Sequence, residues 1–195
     1  MSAPSTLSLA GTYTLNPHLS TPYTTPLKLQ GVSSLLLTAL TTANPAIHLK
    51  ITQPSPNQLS LSQTATAASI PGATEQYDLD DGFQWHEAQD KLFGAIETRG
   101  RWVSMGDVKA GKVGEGKVGR KATWDIEESG EGKGGEGEAR LVYAEGRAKD
   151  GGWEARHLLG FEVVEGERRH VRWSWVKGKD GKEEEIRMVY DRDGE

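Results

Sequence analysis

The chain contains no cysteine, which excludes disulfide staples and thiolate metal sites and permits a reducing compartment. No apolar run approaches the ~20 residues that a membrane-spanning helix needs. The opening stretch "MSAPSTLSLAGTYTL" has neither the basic segment nor the continuous apolar segment of a secretory leader. A cytoplasmic protein with no integral membrane segment is the expectation. Charge is missing from a whole region: between Met1 and Thr74 only Lys28 and Lys50 are ionic, and Ser, Thr and Pro fill the polar positions. Positive charge is not in excess either. Over 195 residues the net charge is −5, which offers no electrostatic footprint for nucleic acid. The histidines are His18, His48, His86, His157 and His170, and none stands at HxH, HxxxH or HExxH spacing, so neither a metal nor a cofactor is expected. No GxSxG elbow is present.

What the chain does have is a long series of short alternating segments. Strands are predicted over 7–15, 46–53, 57–66, 72–80, 82–88, 91–104, 138–147, 152–164, 167–177 and 183–191. They are separated by turn signals such as "PSPN", "DDG", "KDGG", "EGE" and "KGKDGK". Ten mostly consecutive strands predict an all-β fold, an antiparallel up-and-down β-barrel, because closure is how such a meander hides its edges. One segment departs from the period of two. In "GVSSLLLTALTTANP", Val32, Leu35, Leu36, Ala39, Leu40 and Ala43 form a helical stripe with Leu37 outside it, ended by Asn44 and Pro45. A helical lid over about 31–44, between the first and second strands, is the expectation, with Leu36 facing the cavity.

The segment 105–137 is rich in Gly, Lys and Glu and holds few apolar groups. That composition predicts a mobile insertion within a single domain covering 1–195. Two GxGxxG patterns fall inside it, at Gly114–Gly119 and Gly130–Gly135. Neither stands between a strand and a helix-length apolar stripe, so neither is read as a phosphate cradle.

Aromatic residues supply the candidate cavity wall. Trp173 and Trp175 share one strand face with Val171, and Phe83 and Trp85 share another. His157 shares a face with Trp153, Ala155, Leu159, Phe161 and Val163. A barrel of ten strands is too wide for its own side chains to fill, so a cavity is expected.

The order of parts, "LAGTYTLN" on the first strand, "LQGVSSLLLTALTTANP" before the second, and "IRMVYDRD" on the last, resembles the intracellular lipid-binding proteins, the fatty-acid-binding branch of the calycins. Lipocalins are the nearest alternative. The resemblance implies a cavity that holds a hydrophobic ligand, with an Arg-x-Tyr anchor on the closing strand. Tyr190 matches the tyrosine, Met188 falls where the arginine belongs, and Arg187 lies one residue away on the opposite face. A neutral hydrophobic small molecule, held by Tyr190, Met188, Trp173, Trp175, His157, Phe161, Trp85 and Leu36, is therefore the expected partner. A non-catalytic carrier or sensor is the first reading. A cofactor-free isomerase or cyclase with His157 as its proton-moving residue is the second. A protein-interaction module built on 105–137 is the third.

Overall fold

A computed structural model of the chain describes residues 9–66, 70–80, 82–119, 122 and 140–194. Ten antiparallel strands make one sheet: β1 (Gly11–Leu15), β2 (Ile47–Ser55), β3 (Gln58–Ala65), β4 (Ala73–Asp78), β5 (His86–Asp90), β6 (Gly94–Ser104), β7 (Arg140–Ala148), β8 (Trp153–Val164), β9 (Glu167–Gly178) and β10 (Glu183–Arg192). Their order is β4-β3-β2-β1-β10-β9-β8-β7-β6-β5, so the first strand closes onto the last and everything else is a meander. Leu15 lies opposite Tyr190, and Tyr13 opposite Arg192.

The seam of this barrel lies between its two edges. There β4 packs against β6, and Gly100 makes the approach possible, because a Cβ at that position would lie 3.0 Å from Tyr77. Two polar contacts help close the seam. The Thr74 amide donates to Asp90 Oδ2 at 3.1 Å, and the Thr98 hydroxyl donates to the Gln76 carbonyl at 3.4 Å.

The Gly-Thr-Tyr stretch on β1 has a local reason. The Tyr13 ring folds back over Gly11, where a Cβ would meet its hydroxyl at 2.8 Å. The hydroxyl then donates to the Leu9 carbonyl at 2.9 Å. Tyr13, Phe161, His170 and Tyr190 gather their rings within 5.0–5.8 Å of His170 and fill the interior beyond the cavity.

Two helices, α1 (Thr24–Leu29) and α2 (Ser34–Ala43), stand between β1 and β2 where one lid helix was predicted. α1 was missed because six residues interrupted by Pro26 carry no readable helical period. α2 starts where Ser33 accepts a bond from the Leu36 amide, and it ends at Asn44 in the left-handed region. Leu40 is buried and Leu36 packs against the interior core, but Leu35, expected on the inward stripe, is 81% exposed. The inward stripe is thus narrower than the periodicity suggested.

The larger surprise is on the outside. Residues 105–119, assigned by composition to the mobile insertion, form α3 (Met105–Lys109) and a 3-10 turn at Gly114–Gly116. Ser104 caps α3 through the Asp107 amide, and Val113 and Val118 are each 2% exposed. They join Val103, Leu141, Tyr143, Leu158, Val171, Trp173, Trp175 and Val189 in a second core on the outer face of the sheet. Apart from residue 122, the rest of 105–137 lies outside the described residues. The barrel wall at β8, β9 and β10 therefore has apolar packing on both sides. From His170 to Val176 every residue of β9 is buried. Among the described residues no helix is long and apolar enough to cross a membrane.

Candidate functional site

A cavity of about 140 Å³ lies inside the barrel beneath the two helices. Tyr23, Leu27 and Leu40 cover it from the helical side. Ile47, Phe93, Ile96, Trp153, Val176, Ile186 and Met188 supply most of its apolar wall. A polar cluster from β4, β8 and β9 breaks that wall: Glu75, Tyr77, His157, Arg172 and Ser174.

These positions follow from strand alternation. On β9 the inward residues are His170, Arg172, Ser174 and Val176, while Val171, Trp173 and Trp175 face the outer core. Arg172 stands directly across from Met188, and Ser174 across from His157. The cation missing from position 188 is thus supplied by the neighbouring strand. The cavity has a charge, where the sequence led us to expect none.

Arg172 comes with its own counterion. Its Nη2 donates to both oxygens of Glu75, at 2.9 and 3.0 Å, and the Tyr77 hydroxyl donates to Glu75 Oε2 at 2.5 Å. Burial works to raise the Glu75 carboxyl, but Arg172, His157 and the Tyr77 hydroxyl together hold it below the usual carboxylate range. Burial likewise works to lower Arg172, and Glu75 chiefly keeps it above its ordinary value. Tyr77 is pushed well above the usual phenol range by burial and by Glu75. The pair is ionised on both sides and neutral as a unit.

His157 Nδ1 lies 2.8 Å from Ser174 Oγ. Burial, with Arg172 adding to it, pushes the imidazole down to about 3, so the ring is neutral at physiological pH. Tyr190 is pushed up to about 12 by burial, and its hydroxyl donates to Met188 Sδ at 3.5 Å. Among the described residues no three His, Asp or Glu side chains converge as metal ligands would.

Of the residues singled out from sequence, Met188 and His157 line the cavity. Tyr190 and Phe161 belong to the interior core beyond it, and Leu36 packs on that core from α2. The three tryptophans do not face inward. Trp173 donates through Nε1 to Glu162 Oε1 at 2.6 Å, and Glu162, 0% exposed, also receives Arg187 at 2.6 Å. Trp175 lies in the outer core under Lys117 and Arg156. Trp85 is clasped between Arg99 and Arg147 at 4.2 and 4.1 Å, in a ladder that Arg99 continues onto Phe83. Arg187 points outward, as a one-residue slip from the anchor position requires.

The residues that sequence reasoning missed are Arg172, Ser174, Glu75, Tyr77 and Trp153. Trp153 was placed on the His157 face but not taken as wall. Arg172 and Ser174 alternate with the tryptophans on β9, and taking the tryptophan face as cavity wall left them unconsidered.

No protein-family model matches the chain, and no curated protein matches it. Solved structures do. The N57A mutant of the fluorescent protein UnaG superposes with a TM-score of 0.55 at 12% identity, over 96% of this chain and 97% of that one. Wild-type UnaG gives 0.52 at 11% identity, over 94% and 96%. The fatty-acid-binding protein 1 of Echinococcus granulosus gives 0.52 at 9% identity, over 95% and 98%. The fold is therefore the fatty-acid-binding type of calycin barrel, as the sequence resemblance implied.

Proposed function

We propose that this chain is a carrier or sensor that reversibly holds a hydrophobic, neutral small molecule inside its barrel. The observation that carries this reading is the mainly apolar cavity in which Arg172 is paired with Glu75 and the Asp90 carboxyl accepts from the Thr74, Leu92 and Phe93 amides. Apolar burial supplies affinity in such a site, and a few polar groups fix orientation. A fatty-acid-binding neighbour of the same fold is consistent with it. The cavity is compact at about 140 Å³, which favours a ring-sized or short-chain ligand unless the helical cover moves. The rival reading as an isomerase or cyclase gains nothing here, since an imidazole held neutral down to about 3 is a weak general base near pH 7. A cytoplasmic setting suits the absence of cysteine.

Native mass spectrometry of protein purified from its own source tests the reading, together with a fluorescence titration against a panel of lipids and aromatic compounds. A retained small molecule and a saturable response are expected. No bound mass and no response across the panel would overturn the proposal.

A further inference from the structure

The polar cluster in the cavity has spare hydrogen-bonding capacity of a particular kind. Arg172 is 5% exposed, yet its Nε has no hydrogen-bond partner among the described residues. Its Nη2 is already committed to Glu75, whose carboxylate in turn is occupied by Tyr77. Two residues further along β9, Ser174 Oγ and His157 Nδ1 form a pair that can donate in one direction and accept in the other.

We propose that this cluster is a subsite for neutral carbonyl compounds, amides above all, and that Glu75 is the residue that excludes carboxylates. The inference rests on the carrier reading and names the polar end of its ligand. A buried N–H without a partner is costly, and a carbonyl oxygen that packs on the guanidinium and draws its Nε toward the cavity removes that cost without adding charge. The neighbouring amide N–H finds an acceptor in the His157 and Ser174 pair. The body of the ligand lies against Met188, Ile186, Val176 and Trp153. A carboxylate in the same place sets a second anion beside Glu75, with one guanidinium for two carboxylates. Sharing of that kind forces one carboxyl to take up a proton or leave. Glu75 is thus a built-in repulsive element as well as a counterion.

Isothermal titration of the whole chain at neutral pH tests this with naphthamide, naphthoate and naphthalene, and with octanamide and octanoate. Each amide is expected to bind at least about tenfold more tightly than its carboxylate, a difference of about 1.4 kcal/mol. Naphthamide is also expected to bind more tightly than naphthalene. Glu75→Gln keeps a partner for Tyr77 but frees Arg172, so the order of amide and carboxylate should reverse. Should that variant fold poorly, Arg172→Met combined with Glu75→Gln removes both charges. It is expected to keep naphthalene binding and lose the preference for naphthamide. Wild type binding naphthoate or octanoate as well as the amides would overturn the subsite and the neutrality of the ligand while leaving a carrier of hydrophobic molecules standing; an unchanged order in either variant would overturn the subsite alone. Binding of none of these compounds would overturn both.

Discussion

His170 offers a sharp test of how this barrel is held together. Its ring lies 1% exposed among Tyr13, Phe161 and Tyr190, and neither nitrogen has a hydrogen-bond partner among the described residues. Burial, with the charge of Arg172, pushes it down to about 3, as happens to His157. In the unfolded chain both imidazoles return to about 6.5. Between about 3 and 6.5 the unfolded state therefore binds more protons than the folded one, so stability falls as pH falls through that window. Each histidine contributes a slope of about 1.4 kcal/mol per pH unit at its steepest. From pH 6.5 to 4.5 the two together remove about 5 kcal/mol, on the order of the whole net stability of a small domain. Glu75, held below the usual carboxylate range, contributes stability that is lost only further down, as the pH drops below its unfolded value. Measurements at pH 5 and above therefore isolate the histidines. His170→Phe removes the proton site without sacrificing a hydrogen bond. Urea unfolding followed by tryptophan fluorescence at pH 7, 6 and 5 should show the slope reduced by about one proton, or about 1.4 kcal/mol per pH unit, in the variant. A variant with the same pH slope as the wild type would refute this account of His170.

Other perturbations probe the placement of the walls. Trp153 borders the cavity while Trp85 and Trp173 face outward, so Trp153→Phe should abolish the fluorescence change on ligand titration, and Trp85→Phe and Trp173→Phe should preserve it. Glu162→Ala leaves Arg187 and the Trp173 N–H facing a buried gap, and should cost about 3–5 kcal/mol in denaturant unfolding with little change in ligand affinity. Gly100→Val drives a side chain into Tyr77 at the seam, and should cost about 1–3 kcal/mol, read as a lowered urea midpoint with an unchanged m-value.

The strands were legible because each is short and bounded by turn chemistry. All ten exist, nine close to where alternation placed them, while β5 begins at His86 rather than at residue 82 and leaves Phe83 and Trp85 outside it. The facing of β9 was not legible. Strand alternation says which residues share a face but not which face is the interior, and that choice followed the tryptophans. It failed because α3 and the turn after it give the outer face a core of its own, built on a few residues such as Val113 and Val118 inside a stretch whose average composition argues for disorder. Tertiary burial overrode the compositional signal. The Glu75–Arg172 pair could not be read either, since its members stand 97 residues apart on strands from opposite parts of the meander. Met188 was placed inward correctly, and its neighbour across the sheet was the residue to examine.

The outer core changes what the interior is free to do. In a thin-walled barrel, emptying the lumen removes packing from one of the two faces that support each strand, and the wall tends to slump inward. Here β8, β9 and β10 are anchored from behind by Trp173, Trp175, Val171 and the segment that carries Val113 and Val118. The chamber can be filled and vacated while its back wall keeps its shape. On the carrier reading proposed above, departure of a ligand leaves a mould of the same form for the next, and the segment most easily dismissed as filler becomes the buttress that preserves it.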